Sequence, residues 1–412
     1  MKSFLEKIYF VLVFGELTTA IARVLGGSSS GETGGRHESN PVLLAMNGLV
    51  LCATFYFVFP QLPRLWRALL QLRWIFLLYL WAVLSVAWSV DLATSIRMAA
   101  YGVIYLFSAA YFALRYEIDE YLDLLGRCFF GVAVLSVAGE YLLPPTDDLA
   151  PGWSGIFLQK NGLGMCMMLA IAVMIVQHRR WNLRRTAMLL FYVAMLALSQ
   201  SFTAVISVAA VVLFVSSKRM AAWMRTVFWL TLALAACLSL VIGDPLELLL
   251  SSGGKSSSLT GRDVIWAFAL SATAEKPWIG HGYGGAFWTE SYGSAVQSLH
   301  WNPHHAHNGY LEILLDLGLI GLVLTVAVLI NAWRRARRMR RHDSTATSLW
   351  VEVLVLAAVT HNLTESDFMA SNFFWFLIVA ASFASLHMEN QARASSLAHS
   401  RVAEDETALL TA

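Results

Sequence analysis

HNGYLEILLDLGLIGLVLTVAVLINAWRRARRMRR, residues 307–341, runs from a polar, His-rich approach through an apolar stretch into a block of arginines. The apolar part, 311–333, is long enough to cross a bilayer as a helix, which takes roughly 17 to 25 residues. Arginines flanking a span favour the cytoplasmic side, so the polar end at His307 belongs on the opposite face. That single orientation propagates to the rest of the chain.

Of the 412 residues, 58% are apolar and 14% charged, spread along the whole length rather than in one anchor. A polytopic membrane protein is the class that composition allows. Further apolar runs fall near 5–25, 41–60, 74–91, 97–115, 128–144, 161–177, 186–200, 202–217, 226–243, 346–363 and 372–388, giving about twelve transmembrane helices. Lys2 precedes and Lys7 lies at the start of the first run, which has no small-residue cleavage site and carries Glu16, so it reads as a span rather than a removable leader. Cations concentrate in Leu62–Arg73, His178–Arg185, Lys218–Arg225 and Arg334–Arg341. With the 26–40 loop outside, alternation puts all four basic segments and both termini inside, in agreement with the charge rule. The polar segments 144–160, 244–310 and 364–371 then lie outside, which in a bacterial inner membrane is the periplasm. The expected organisation is spans one to nine in 1–243, a large outer loop in 244–310, three spans in 311–388 and a disordered tail in 389–412. The four cysteines lie in apolar runs, so neither a disulfide framework nor a thiolate metal site is suggested.

A polar connection as long as 244–310 is functional or disordered, and this one carries structure signals. Thr260 and Asp263 make a capping-box-like start, and Val264, Ile265, Phe268 and Ala272 keep helical spacing until Lys276-Pro277 stops it. Arg262 in the first turn is either a tolerated surface cation or, with the helix N–H groups, part of an anion site. Gly280-His281-Gly282-Tyr283-Gly284-Gly285 marks a tight backbone path without the preceding strand that a dinucleotide fingerprint needs, and it leaves His281 a structural or accessory role. His300, His304, His305 and His307 invite a metal reading, but their spacing matches no helical ligand pair and Pro303 keeps the region irregular. His307 stands apart because it begins a helix, where the positive dipole end favours the neutral, proton-accepting imidazole. On a regular helix His307, Leu311, Leu314, Gly318 and Gly321 share one face. That face reads either as a close-packing surface or as a groove narrowing to two glycines.

His307-Asn308, nine intervening residues and Gly318-x-x-Gly321 resemble the signature of the O-antigen ligase and polysaccharide polymerase family. Three more stretches resemble its exopolysaccharide-production branch: Gly155 through Lys160-Asn161 to Gly164, Thr260-Gly-Arg262 through Lys276-Pro-Trp-Ile-Gly-His-Gly-Tyr283, and Asn362-Leu-Thr-Glu365-Ser through Asn372-x-x-x-Trp375. The resemblance covers about residues 40–390. It implies an all-α membrane protein with a glycosyltransferase C-type fold. The activity implied is inverting, metal-independent transfer of a glycan from an undecaprenyl-diphosphate carrier at the periplasmic face, without a cofactor.

A sugar on a pyrophosphate is already activated, so such a site must stabilise the departing diphosphate and deprotonate an acceptor hydroxyl. His307 is the candidate base, Arg262 and Lys160 the candidate diphosphate cations, and Asn308, Glu365, Asp367 and His281 candidate accessory groups. Where related chains often carry a basic residue after Leu198-Ser-Gln-Ser201, this one has Phe202, so a further cation would have to come from elsewhere, for instance Arg36 or Lys255. The leading expectation is a polymerase of lipid-linked exopolysaccharide repeat units, with a lipid-linked or glycan acceptor and export proteins as partners. The alternatives are a ligase delivering glycan to lipid A core or another acceptor, and a lipid-linked sugar transporter. Neither acceptor nor sugar is legible, and Glu16 and Glu140 have no assigned step. Topology is directly testable: a cysteine at Ser256 should react with a membrane-impermeant reagent added from the periplasmic side and one at Arg338 should not, whereas reversed labelling would discard the orientation.

Overall fold

The computed structural model describes residues 2–18, 24, 41–143, 151–177, 182–218, 262–290, 305–340, 345–370 and 372–411. Arg36, Ser256, Lys255, Thr260, His300, His304 and the span expected at 226–243 lie outside the described residues. Among those described, all regular structure is helical: α1 (Lys2–Leu17), α2 (Pro41–Val58), α3 (Leu62–Gln71), α4 (Arg73–Leu84), α5 (Leu92–Arg115), α6 (Ile118–Leu142), α7 (Lys160–Val176), α8 (Leu183–Ser199), α9 (Phe202–Ser217), α10 (Arg262–Glu275), α11 (Ala286–Glu290), α12 (Gly309–Met339), α13 (Thr345–His361) and α14 (Phe373–Thr411). Eleven of the twelve expected spans coincide with helices. Five helical stretches, Ala45–Gln71, Leu92–Arg115, Ile118–Leu142, Gly309–Met339 and Phe373–Ala394, are long and apolar enough to cross a bilayer on their own terms, and shorter apolar helices pack among them. The chain is a polytopic α-helical membrane protein.

Two expectations change. Leu62–Arg73 is no loop: Pro63 starts a helix over Leu62–Gln71 that buries Leu65 and Leu69, so its arginines ride on an amphipathic helix. The tail after Glu389 continues α14 to Thr411, consistent with its Ala-rich, helix-favouring composition and the Arg393–Glu389 ion pair one turn apart at 2.7 Å.

α7 is the central rod. It is apolar nearly all round, GLGMCMMLAIAVMIV after Asn161, and a helix of that kind must be surrounded by protein. Leu163, Cys166, Leu169 and Val176 are fully buried, with α6, α8, α9 and α13 packed about it. Outside, Phe55, Leu135, Leu190, Val205 and Val323 are exposed apolar residues on helix faces that suit lipid. Polar groups divide between the two ends. At one end lie Lys218 paired with Glu352, Arg335 with Glu389 at 3.0 Å and Arg115 with Glu6 at 2.9 Å. At the other lie the starts of α7, α9 and α12 and the loop from Asn362 to Asn372. The tight turn expected at Ser199-Gln200-Ser201 is present, with Gln200 in the left-handed region at φ 50°.

α12 is not continuous. Gly318 has φ 67° and ψ −169°, splitting the helix into two halves. The segment Pro277–Gly282 enters this break. Leu319 N–H donates to Pro277 O at 2.8 Å and Ile320 N–H to Trp278 O at 3.3 Å, while His281 and Gly282 N–H donate to Leu315 O and Asp316 O at 2.8 and 3.0 Å. Trp81 Nε1–H donates to the Leu317 carbonyl at 3.0 Å. Gly318 is therefore not the floor of a groove on a regular helix: a Cβ there would overlap the Trp278 backbone, and one on Gly321 would overlap the Leu317 side chain. Gly318→Ala combines a positive-φ backbone with ψ near 180°, which only glycine readily adopts and which costs on the order of 1–3 kcal/mol for another residue, with that overlap. Thermal unfolding in detergent should show a destabilisation of at least this size; an unchanged melting temperature would mean that the break does not require glycine.

Candidate functional site

The polar end of the bundle is built by four pieces of chain. Asn308 caps α12, its Oδ1 accepting from Tyr310 N–H and Leu311 N–H, both at 3.1 Å. The same residue ties that helix start to the next loop: its N–H donates to Ser366 Oγ at 3.0 Å and its Nδ2 to Leu363 O at 3.1 Å. Gly309 N–H donates to Asn362 O at 2.9 Å, and a Cβ on Gly309 would overlap the Asn362 side chain. Asn362 Oδ1 in turn accepts from Asp367 N–H and Phe368 N–H at 2.8 and 2.9 Å, folding the loop into a tight cap. This is why an Asn-x-x-Glu-Ser run sits here: Asn362 makes the turn, Ser366 receives α12, and Glu365 projects into the space between.

Glu365 is the point of convergence. Asn161 Nδ2, at the start of α7, donates to its Oε1 at 2.7 Å; Arg262 Nη2, at the start of α10, donates to the same oxygen at 3.1 Å; His307 Nδ1 lies 3.6 Å from Oε2. Arg262 Nη1 also donates to Thr364 O at 2.6 Å, and the Thr364 hydroxyl meets Thr203 of α9 at 2.6 Å. Burial alone would raise the Glu365 carboxyl, but the neighbouring His307 and Arg262 outweigh it and hold the group down to about 2. It is an anion across the physiological range. Burial, ahead of the nearby His305 and Arg262, pushes the His307 imidazole below its ordinary 6.5, with Glu365 opposing. A neutral His307 with its Nδ1 proton turned toward the Glu365 carboxylate leaves Nε2 as the proton acceptor, the arrangement in which a carboxylate sets an imidazole's tautomer.

The remaining candidates divide. Lys160 begins α7 beside Asn161, its Nζ donating to Pro151 O at 3.0 Å, which puts an ammonium at the same helix start as the Asn161 contact. The turn before it is braced by Glu140, whose Oε2 accepts from Ser154 N–H and Gly155 N–H at 3.2 and 2.9 Å; this gives the outer-end carboxylate of α6 a structural role. Asp367 is committed elsewhere, accepting from Asn372 Nδ2 at 2.7 Å and facing His361 Nδ1 at 2.5 Å beneath the cap. His281 is buried against α12 with Nδ1 3.2 Å from Leu315 O, so it belongs to the helix break, not to the Glu365 cluster. His305 packs against His307 with ring centroids 4.1 Å apart and the rings tilted by 57°, and its Nδ1 accepts from His307 N–H at 3.2 Å. Among the described residues, no group of three or more His, Cys, Asp and Glu side chains is arranged to hold a metal ion. Sequence reasoning passed over Asn161 and Thr203. It also passed over the buried carboxylates Glu312 and Asp316 of α12, for which charge within a span was the available signal.

With this geometry in view, comparison with known proteins is specific. Residues 185–326 match the family model described as O-antigen ligase. Arg262 and His307 fall within that match, while Lys160, Asn161 and Glu365 fall outside it. The chain is 27% identical over 285 residues to the exopolysaccharide production protein ExoQ of Rhizobium meliloti (strain 1021), covering 63% of this chain and 64% of that protein. It is also 27% identical over 129 residues to a protein of Rickettsia bellii (strain RML369-C) named "Putative polysaccharide ligase", covering 30% of this chain and 31% of that one. A protein of the same description from Rickettsia conorii (strain ATCC VR-613 / Malish 7) is 24% identical over 129 residues.

Because Arg262 ties both Thr364 O and Glu365 to α10, its removal should loosen the cap. Hydrogen bonds to charged groups contribute about 1.5–3 kcal/mol, so amide exchange at Asp367 and Phe368 should accelerate by about tenfold or more in Arg262→Ala. Arg262→Lys should recover little, since one ammonium cannot span both acceptors. Unchanged protection in the alanine variant would remove Arg262 from this role.

Proposed function

We propose, starting from a chain that carries an O-antigen ligase domain, that it is a glycosyltransferase extending lipid-linked exopolysaccharide, with His307 as general base and Glu365 as the group that orients it. The observation that carries this reading is the convergence of Asn161, Arg262 and His307 on one ionised carboxylate at the polar end of the bundle. An acceptor hydroxyl gives its proton to His307 Nε2 as its oxygen attacks the anomeric carbon, and the bond from that carbon to the diphosphate oxygen breaks. The leaving diphosphate takes the electron pair. Lys160, the first-turn N–H groups of α7 and the guanidinium N–H bonds of Arg262 not used on Thr364 and Glu365 supply the positive field it requires. No metal or cofactor enters this scheme. The 3.6 Å between His307 Nδ1 and Glu365 Oε2 is long for a hydrogen bond, as catalytic contacts often are before substrate tightens them.

The donor in this reading is an undecaprenyl-diphosphate-linked oligosaccharide and the site faces the periplasm of a bacterial inner membrane, opposite the basic ends of α3 and α12. Polymerisation is favoured by the long match to an exopolysaccharide production protein, and glycan ligation by the description of the matched domain. Transport is disfavoured: transporters bind cargo at helix breaks near the midplane, whereas the break in α12 is filled by the chain's own backbone. Purified protein with defined lipid-linked oligosaccharide separates the three, through longer lipid-linked chains, glycan on a new acceptor, or translocation without bond formation.

General-base assistance contributes about 10²–10⁴-fold, so His307→Ala should lower turnover by that order with insertion intact. His307→Gln should do the same, because it keeps a hydrogen bond but accepts no proton; near-normal turnover in the glutamine variant would send the search for a base elsewhere. The pH profile follows from the shifts. His307 is active when neutral and is held below 6.5, so turnover should fall along a single acid limb below that pH. Glu365 stays ionised down to about 2 and adds no second limb. EDTA should leave transfer unchanged, and a zinc-restored loss would overturn the metal-free scheme.

A further inference from the structure

His307 does not rest in an ordinary backbone conformation. Its φ of 48° puts a non-glycine residue in the left-handed region, which costs energy unless the surroundings impose it. The surroundings do so through the residue immediately before it. Ala306 is fully buried, and both of its backbone polar groups are held by side chains from different helices. Its N–H donates to Glu312 Oε2 at 2.5 Å, from one turn inside α12. Its carbonyl accepts from Trp266 Nε1–H at 2.9 Å, from the first turns of α10. The other Glu312 oxygen is occupied as well, accepting from Trp288 Nε1–H of α11 at 2.8 Å. Glu312 is 8% exposed and has two indole or amide donors, one on each oxygen, so its carboxylate is a fixed brace rather than a solvated charge.

We infer that Glu312 and Trp266 form a clamp on the Ala306 backbone, one on each side of its Cα, that forces His307 into its left-handed conformation and thereby aims the imidazole at the acceptor, making both positioning residues for transfer. This rests on His307 being the base. It goes beyond that reading because neither residue touches the reacting atoms, and because α10 and α12 jointly set the direction of one side chain. Opening the clamp lets residue 307 relax to negative φ, which swings the ring out of the small polar enclosure formed by Glu365 at 3.6 Å, His305 at 4.1 Å between ring centroids, and Arg262 beyond Glu365. Misplacement of a catalytic group by about 1 Å can cost on the order of a hundredfold.

The test compares Glu312→Gln and Trp266→Phe with His307→Ala, in the full-length protein, for kcat, KM for the lipid-linked donor, melting temperature and pH profile. Glu312→Gln still accepts from Trp288 but turns an amide toward Ala306 N–H, and Trp266→Phe keeps the ring while removing its donor. Both should lower kcat by on the order of ten- to a hundredfold with donor KM unchanged. Both should also move the acid limb upward toward 6.5 as the imidazole loses its enclosure. The double variant should lose less than the product of the two singles, because both act on the backbone of one residue. A melting temperature that falls in proportion to kcat, with the acid limb unmoved, would overturn the clamp and leave these residues as ordinary packing. If Glu312→Gln fails to fold, Trp266→Phe decides alone. Should His307→Ala retain turnover, the base assignment itself fails; should His307→Ala be inactive while both clamp variants behave as wild type, only the clamp fails.

Discussion

The arrangement depends on an exchange of backbone hydrogen bonds at Gly318. A helix interrupted within a membrane leaves N–H and C=O groups that lipid cannot satisfy, at several kcal/mol each. Here the Pro277–Gly282 segment supplies both kinds of partner, carbonyls to Leu319 and Ile320 and N–H groups to Leu315 and Asp316. Asp316 extends the junction by accepting from Gly284 N–H and Gly285 N–H at 2.9 and 3.0 Å. The loop cannot leave without exposing α12, and α12 cannot straighten without expelling the loop. α10 is thereby fixed relative to the outer half of α12, and α10 is the helix that delivers Arg262 and Trp266 to the polar end.

Electrostatics at that end follow from the same rigidity. One anion, Glu365, is set among Arg262, the amide of Asn161 and an imidazole held neutral, with Lys160 at the adjacent helix start. Arg262 is matched to Glu365 beside the neutral imidazole, and the Lys160 ammonium stands at the adjacent helix start. In the reaction proposed above, that arrangement suits a substrate that brings two negative charges and a hydroxyl to deprotonate. A second buried carboxylate in direct contact with His307 would favour imidazolium over the neutral ring. Asp367 avoids this by turning to His361 and Asn372, and Glu312 by bonding to N–H donors.

Much of this was legible in the sequence, and the unread parts have a common cause. Hydrophobic run length placed the long helices and Lys276-Pro277 marked the end of α10, while His307, read as the first residue of α12, stands one residue before its cap, Asn308. Each is a local signal. The missed features are contacts between distant segments: Asn161 with Glu365, Thr203 with Thr364, and the glycine run at 280–285 with Asp316. Helical periodicity placed Gly318 on a face with His307 because it assumes an intact helix. The contrary signal was a pair of carboxylates, Glu312 and Asp316, inside an otherwise apolar span, which required partners that only a neighbouring polar, glycine-rich segment could provide.

The two halves of α12 have different duties as a result. The inner half, from Leu319 to Met339, is apolar, faces α4 and α13, and ends in arginines that anchor it at the basic end. The outer half is short, is capped by Asn308 and carries Glu312 and Asp316 four residues apart, all three turned to neighbouring backbone or indole N–H groups. Four-residue spacing keeps those side chains on one helical face. The cap, the residue before His307 and the glycine loop are therefore referenced to a single rigid body. A continuous helix could present the same three side chains, but it would have no open backbone groups to seat the loop that brings α10 alongside. Breaking the helix at glycine converts a membrane span into the mount for its own polar end.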